Sequence, residues 1–347
     1  MARDKALQFC IDILPAVSRT FALNIRVLKG ELYRAVLCGY LFCRIVDTVE
    51  DSEALSVELR NKLLDEYAAM FAERDFCRER IINWISQCSE IDKSQNESSL
   101  ITGSCFVFDV FASLPDSSQE GICDCVVEMT QGMKETTNRK LDPAEGVHTL
   151  KSQSDLDRYC YFVAGTVGKM LTRLFSLHSK NISLATTMKL QSLEVSFGLG
   201  LQMTNIIKDC YGDYQRGWCY VPTDLLDHEG VRVSSLLSSE TRRGAIVVLN
   251  GLTIQAAKHL DDALAYTLTI PRRELRIRLF NLWSLILAIR TLNKAWNNED
   301  LLSGEKKVKI ERSSVYATLI QTSLRAFSNG LLKNYYWSFR RNIPESQ

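Results

Sequence analysis

Tyr33–Val49, YRAVLCGYLFCRIVDTV, runs straight into Glu50 and Asp51, and Leu190–Ile207, LQSLEVSFGLGLQMTNII, runs into Lys208, Asp209 and then Asp213. Both runs are too apolar for a solvated surface helix. At about 100° per residue, Tyr40, Arg44, Asp47 and Asp51 fall on one narrow stripe, and so do Gln202, Asn205, Asp209 and Asp213. Polar residues aligned inside core-like helices point to an internal cavity. Carboxylates in such a place need partners, and hard divalent cations with oxygen ligands fit best. A single Asp-x-x-x-Asp is more often a solvated helix face. Two of them, each preceded on its own stripe by a cation or by amides, favour a cage for divalent metal and diphosphate, with Asp47, Glu50, Asp51, Asp209 and Asp213 as the acidic set.

The bulk composition narrows the alternatives. A chain of 347 residues, 46% hydrophobic and 24% charged, can bury a large core, and its length alone would allow two domains. The two acidic motifs must cooperate across the sequence between them, so the simpler expectation is one domain, 1–347, folded around a central pocket. A formal charge of +1 gives no electrostatic case for nucleic acid. Eleven cysteines without a CxxC pair and only four histidines exclude a zinc site and a disulfide framework, so the expected compartment is the reducing cytoplasm. The opening MARDKALQFCIDILPAVSRT lacks a long apolar stretch and a small-residue cleavage site, and reads as a mature start. Leu279–Leu292 is interrupted by Asn281 and Arg290 and falls short of the ~20 residues needed to cross a bilayer.

Long 3.6-residue periodicities, few alternating β-branched runs and six prolines predict an all-α protein with no sheet to speak of. Helices are expected over Lys5–Leu14, Leu32–Val49, Val57–Phe71, Arg78–Cys88, Leu100–Leu114, Glu120–Asn138, Ser154–Leu177, Leu184–Tyr211, Ser239–Leu268, Glu274–Trp296 and Ser314–Leu332. Polar stretches at Glu90–Ser99, Lys140–Gly146 and Asn297–Lys307 read as loops, and Arg216–Val231, with Gly217, Pro222 and Gly230, as an irregular flap.

Ionising a carbon–oxygen bond beside diphosphate requires neutralisation by Mg²⁺, or Mn²⁺ in its place, and by cationic side chains. Arg19, Arg44, Lys208 and Arg216 lie near the acidic motifs and are the candidate phosphate clamps, Arg44 the best fixed of them. A carbocation made there needs an apolar chamber and a proton acceptor. Tyr159 offers a phenolic oxygen and a π-face, although a core tyrosine explains it as well. Ala164, Gly165, Gly168, Gly198 and Gly200 thin two helices, leaving room for substrate or for close helix packing.

SRTF (Ser18–Phe21), CRIVDTVED (Cys43–Asp51), YCYFVAGTVG (Tyr159–Gly168), and LQMTNIIKDCYGD followed by RGWCYVP (Leu201–Pro222) occur in the order and at spacings that resemble the squalene/phytoene synthase family. The likeness runs from Ser18 to about Arg312. It implies a helical isoprenoid-synthase fold and head-to-head condensation of two farnesyl diphosphates to presqualene diphosphate, with NADPH-dependent reduction to squalene. It also implies that the aspartate motifs bind Mg²⁺–diphosphate, that Tyr159 serves in proton removal, and that Tyr40, Gln202 and Asn205 contact the nicotinamide cofactor, with Ser18 and Phe21 nearby. Three positions depart from the family pattern. Gly212 stands for a glutamate in the second motif, Lys208 for an arginine, and Ser284–Leu285 for a Pro-Gln pair. Dehydrosqualene or phytoene synthesis without NADPH is the nearest alternative, and a non-catalytic assembly or binding relative a more distant one. A monomer is expected. Leu331–Arg341, mixing aromatics and cations, reads as a peripheral membrane contact or as a docked terminal helix.

Overall fold

The computed structural model describes residues 2–52, 54–91, 94–137 and 146–345, with the side chains of residues 2, 3, 19 and 20 outside that description. In chain order the helices are α1 (Ala2–Val17), α2 (Arg19–Val27), α3 (Gly30–Glu50), α4 (Val57–Ala72), α5 (Arg78–Gln87), α6 (Gln95–Thr102), α7 (Ser104–Phe111), α8 (Asp116–Thr137) and α9 (Gln153–Cys160). They continue as α10 (Thr166–His178), α11 (Leu184–Gln191), α12 (Glu194–Gln215), α13 (Thr223–His228), α14 (Arg242–Thr269), α15 (Leu275–Ala295), α16 (Asp300–Ser303), α17 (Arg312–Arg325) and α18 (Asn329–Arg340). The expected all-α architecture is the one found. Its sheet content among the described residues is one parallel pair of two-residue strands, β1 (His148–Thr149) and β2 (Trp218–Cys219), with His148 opposite Trp218.

The chain gathers into two compact units, Met1–Asn138 with Lys169–Thr187, and Arg139–Gly168 with Met188–Gln347. In the first, α3 packs against α1, α4, α7 and α8. Its apolar positions recur on nearly every face, so it is buried almost throughout, as a helix hydrophobic all round must be. Phe42 anchors this core, with ring centroids 4.9 Å from Phe71, 4.8 Å from Phe108 and 5.2 Å from Phe111. The buried indole of Trp84 donates to the Leu63 carbonyl at 2.9 Å, so its one polar atom is satisfied.

In the second unit α12 packs against α14, α15, α9 and the segment Tyr161–Gly165. That segment is a single π turn between α9 and α10, which sequence periodicity did not foretell. The glycines on these helices serve close packing. A Cβ at Gly198 would run into the carbonyl of Ala164, and one at Gly168 into that of Glu194. The alternative reading, room for substrate, is not needed to explain them.

Several boundaries differ from expectation for local reasons. Ser18 caps α2, its hydroxyl accepting from the Phe21 amide at 3.2 Å, so SRTF begins a helix the periodicity missed. Residues 95–99, expected as loop, open α6 behind the Ser94/Glu97 capping box. The expected Leu100–Leu114 helix is divided at Gly103, which caps α6 and α7, and the Phe9 ring fills the space a side chain would take there. The long helices expected from Leu184 and from Ser314 break at Ser192–Leu193 and at Ala326–Ser328. The flap after α12 holds β2 and α13, and Gly217 enters it with φ +80°, a left-handed conformation that favours glycine. The Lys140–Gly146 loop, except Gly146, and Asn138 lie outside the described residues.

Gly198→Ala should therefore overpack the contact with Ala164, costing about 1–3 kcal/mol. Gly251, on α14 with nothing within 4 Å of an added Cβ, should gain up to ~1 kcal/mol of helix propensity on substitution by alanine. Thermal unfolding followed by circular dichroism should show a lower midpoint for Gly198→Ala and an equal or higher one for Gly251→Ala; the reverse order would remove the packing account.

Candidate active site

The first acidic motif occupies the carbonyl end of α3. Asp47 and Glu50 sit in its last turn and Asp51 caps it, the Asp51 amide donating to the Asp47 carbonyl at 2.9 Å. No basic residue lies in that last turn. Helix carbonyls already present partial negative charge there, so three carboxyls at that end repel both the helix and one another. One guanidinium answers part of this. Arg44 pairs with Glu97 of α6 and reaches Asp47 Oδ2 at 3.8 Å. Glu97 is held in turn by Ser94, whose hydroxyl donates to it at 2.7 Å.

The compensation is incomplete. Asp47 Oδ1 and Arg44 Nε are enclosed without a hydrogen-bond partner. Burial drives the Asp47 carboxyl up to about 7, with Arg44 opposing and the negative charges of Asp51 and Glu97 reinforcing the rise. Glu50 is buried, and its carboxyl is pushed far above the usual range by burial and by Asp51 and Asp47, against Arg60. Arg60 itself is spent on backbone, donating to the Ser52 carbonyl at 2.5 Å and to that of Leu55 at 3.4 Å. A divalent cation would relieve this arrangement.

Ser18, Phe21 and Tyr40 are assembled on the same unit. The Phe21 and Tyr40 rings lie 5.6 Å apart, and Phe21 is exposed. Burial raises the Tyr40 hydroxyl to about 12, while a hydrogen bond with Ser18 works the other way. Arg19 begins α2, but its side chain lies outside the described residues.

The second motif repeats the pattern on α12. Asp213 is buried in the last turn, which again lacks a basic residue, and Asp209 is exposed one turn earlier. Lys208 pairs with Asp209, and Arg216, just past the helix, with Asp213. Burial raises Asp213 to about 6, opposed by Arg216 and reinforced by Asp209. Gln202 and Asn205 lie on this helix, half-buried and exposed respectively. A Cβ at Gly212 would meet nothing within 4 Å, so the position is sterically open to a longer side chain.

Tyr159 is buried at the end of α9, just before the π turn. It stacks on Tyr220 at 4.8 Å, Tyr220 on Trp218 at 5.6 Å, and Trp218 on His148 at 4.3 Å. This column of four rings was not anticipated. The alternation of Trp218 and Tyr220 in the flap, placing both on one side of a short extended segment, is the signal that could have disclosed it. A small cleft beside it is lined by Trp218, Tyr220, Ile206, Cys210 and Asp213, so the aromatic column and the second motif border the same space.

Among the described residues no three His, Cys, Asp or Glu side chains converge to hold a metal ion by themselves. Mg²⁺ ordinarily keeps several waters and takes one or two carboxylates. The orphaned oxygen of Asp47 and the acid-rich helix ends are the features that fit such an ion.

Residues 14–314 match the family model described as squalene/phytoene synthase. The chain is 27% identical to the squalene synthase of Rattus norvegicus over 346 residues, 98% of this chain and 76% of that protein. It is 29% identical to the squalene synthase of Eremothecium gossypii over 303 residues, 87% of this chain and 65% of that protein. Among solved structures, TcSQS in complex with a ligand superposes with a TM-score of 0.79 at 24% identity over 98% of both chains. A dehydrosqualene synthase in complex with a ligand does so with a TM-score of 0.61 at 18% identity over 97% of this chain and 98% of that one. These two likenesses establish the fold.

The raised carboxyls have a sign that can be measured without substrate. With Asp47 moved from 3.8 to about 7 in the folded state, its contribution to stability is fully present below about pH 4 and is lost as pH rises through about 7. Glu50 acts in the same direction. In chelator, the melting temperature should fall between pH 5 and pH 8, and Asp47→Asn should flatten that slope. A slope unchanged in the variant would place the titration elsewhere. Gly212→Glu should fold normally and bind Mg²⁺ more tightly by isothermal titration calorimetry; weaker binding would mean that an added carboxylate at this position opposes the ion.

Proposed function

Because the chain belongs to the squalene/phytoene synthase family, and is an enzyme of the prenyltransferase type, we propose that it joins two farnesyl diphosphates head to head and reduces the product to squalene. The observation that carries this reading is the pair of acid-rich helix ends, each with its own cation and each with a carboxyl raised by burial. Such ends are short of positive charge and so suited to Mg²⁺ together with diphosphate.

The chain's residues divide the work as follows. Asp47 and Asp51 on α3, and Asp209 and Asp213 on α12, would hold the Mg²⁺, which supplies Lewis-acid neutralisation of the leaving diphosphate. Glu50, buried, with its carboxyl pushed up by burial and by Asp51 and Asp47, belongs to the same acidic cluster. Arg44, Lys208 and Arg216 neutralise phosphate oxygens, with Lys208 offering a point charge in place of an arginine fork. Tyr159, in its stack with Tyr220, accepts the proton lost when the new carbon–carbon bond closes to the cyclopropyl product, and the stacked π-faces favour the developing cation. NADPH, when bound, would supply the hydride for the reductive step. The exposed Phe21 ring beside Tyr40, and the amides of Gln202 and Asn205, are the groups suited to hold it.

One observation favours elimination without NADPH, giving dehydrosqualene. Leu285 is fully buried inside α15, where the family resemblance leads one to expect part of a Pro-Gln pair. Incubation with farnesyl diphosphate and Mg²⁺, with and without NADPH, separates the readings by mass spectrometry of the extracted products. Squalene formed only with NADPH is the expected result, and dehydrosqualene in both tubes would overturn it. Tyr159→Phe should lower formation of the cyclopropyl intermediate by roughly 10²–10⁴-fold, the usual contribution of a positioned base, with helicity retained; full activity would place the base elsewhere.

A further inference from the structure

α14 carries Gln255, His259 and Asp262 at i, i+4 and i+7, one polar stripe on a helix otherwise rich in apolar residues. The stripe meets two other helices. On α12, the Ser196 hydroxyl lies 2.7 Å from His259 Nδ1 and 2.7 Å from Asp262 Oδ2. On α9, Asp157 Oδ1 accepts from Gln255 Nε2 at 3.3 Å and from Gln153 Nε2 at 2.8 Å. All of these side chains are half-buried.

A proton count settles how Ser196, His259 and Asp262 connect. A carboxylate oxygen only accepts, and a serine hydroxyl has a single hydrogen to give. Ser196 therefore donates to Asp262 and accepts from Nδ1–H of His259, which fixes the tautomer of the ring and leaves Nε2 as the nitrogen that titrates. Burial pulls that titration below the ordinary histidine range, with Asp157 and Asp262 opposing and Lys258 assisting. The order Asp–Ser–His is not that of a nucleophilic triad, in which the imidazole takes the hydroxyl hydrogen. Here that hydrogen is committed to the carboxylate, so the hydroxyl holds rather than attacks.

The backbone is held at the same place. Gly200, one turn on from Ser196, brings α12 directly against α14: an added Cβ would stand 3.1 Å from His259 Cβ and 3.2 Å from its carbonyl carbon. Asp261, beside Asp262, accepts from the Tyr336 hydroxyl at 2.7 Å and from Arg340 Nε at 3.1 Å, which fixes α14 in turn. Farther along, α12 ends in Asp209 and Asp213, and α9 presents Tyr159 two residues after Asp157. We propose that Ser196, His259 and Asp262 are positioning residues: their bridge sets the rotation of α12 on α14, Gln255 with Asp157 sets that of α9, and the second acidic motif and Tyr159 are thereby held to one common support. The bearing of this bridge on turnover rests on the condensation proposed above.

Histidine ¹⁵N–¹H correlation spectra of the full chain at about pH 8, where an ordinary imidazole is neutral, read the bridge without substrate. The His259 signal, identified by its loss in His259→Asn, should show the Nδ1–H tautomer; the Nε2–H tautomer overturns the proposal. Turnover of farnesyl diphosphate with Mg²⁺ reads the positioning. Asparagine places its amide nitrogen where Nδ1 stands, and glutamine where Nε2 stands. Ser196→Ala and His259→Gln should lower kcat by about 10²-fold, the cost of a misplacement of about 1 Å, while His259→Asn should stay within about threefold of the wild type. Recovery by glutamine and not by asparagine would assign His259 to proton transfer at Nε2. Equal losses in both, or full activity in Ser196→Ala, would reduce the cluster to packing, and each of these results overturns the proposal. A wild type that consumes no farnesyl diphosphate would sink the proposed condensation instead, and the tautomer then decides the bridge alone.

Discussion

Carboxylates at the carbonyl end of a helix are repelled by that end, and here two helices, α3 and α12, finish in such carboxylates with no basic residue in the last turn. Both helices are otherwise core elements, so these acids cannot all escape to water. The neighbouring structure supplies partial answers: Arg44 bridging to Glu97, and Arg216 folding back on Asp213. What remains is the cost of burial, which raises a carboxyl to about 7 in one motif and to about 6 in the other against the pull of Arg44 and Arg216. A helix end left this way is costly to fold, and a bound cation would offset that cost. Stability of the fold and the proposed chemistry of the site would then be linked.

The second constraint is distance between backbones. Gly198 lets α12 approach the π turn at Ala164, and Gly168 lets the start of α10 approach Glu194. A π turn inserts one residue into a helix and changes which side chains face its neighbours. Tyr159 lies two residues before it, so the same thin contact that seats the segment Tyr161–Gly165 on α12 also fixes the helix that presents Tyr159 to Tyr220. Packing and placement of the candidate base are therefore one problem, and a methyl group added at Gly198 would disturb both.

The legible part of this protein was the part written in period. α3 and α12 are long, strongly apolar and interrupted only by polar residues at helical spacing, so their stripes and the residues on them could be read directly. Long-range partners could not. Glu97 is 53 residues from Arg44 and sat in a stretch read as loop, although its Ser94 capping box was a local signal that a helix began there. The ring column needs β1 and β2 to pair, and two-residue strands leave no periodicity to detect. Helix breaks at Gly103 and at Ser192–Leu193 were hidden because apolar spacing continues across them. The Phe9 ring that excludes a side chain at Gly103 comes from a different helix.

The two departures at the site differ physically, and the difference bears on which half of the reaction they touch. Gly212 faces open space, so the missing carboxylate leaves no packing defect, and its loss weakens at most the charge of the second motif. Leu285 is embedded in the core of α15, a helix whose hydrogen bonding continues through Ser284 and Leu285. A proline there would remove a backbone donor and cost about 3 kcal/mol or more. In this chain α15 is a continuous apolar core element through both positions. On the proposed function, the change at Leu285 bears on reduction, whereas Arg44, Asp47 and Asp51 at the end of α3 and Lys208, Asp209 and Asp213 on α12 are the groups assigned to condensation. On that reading, a loss of function from these departures should fall on the reductive step before it falls on condensation.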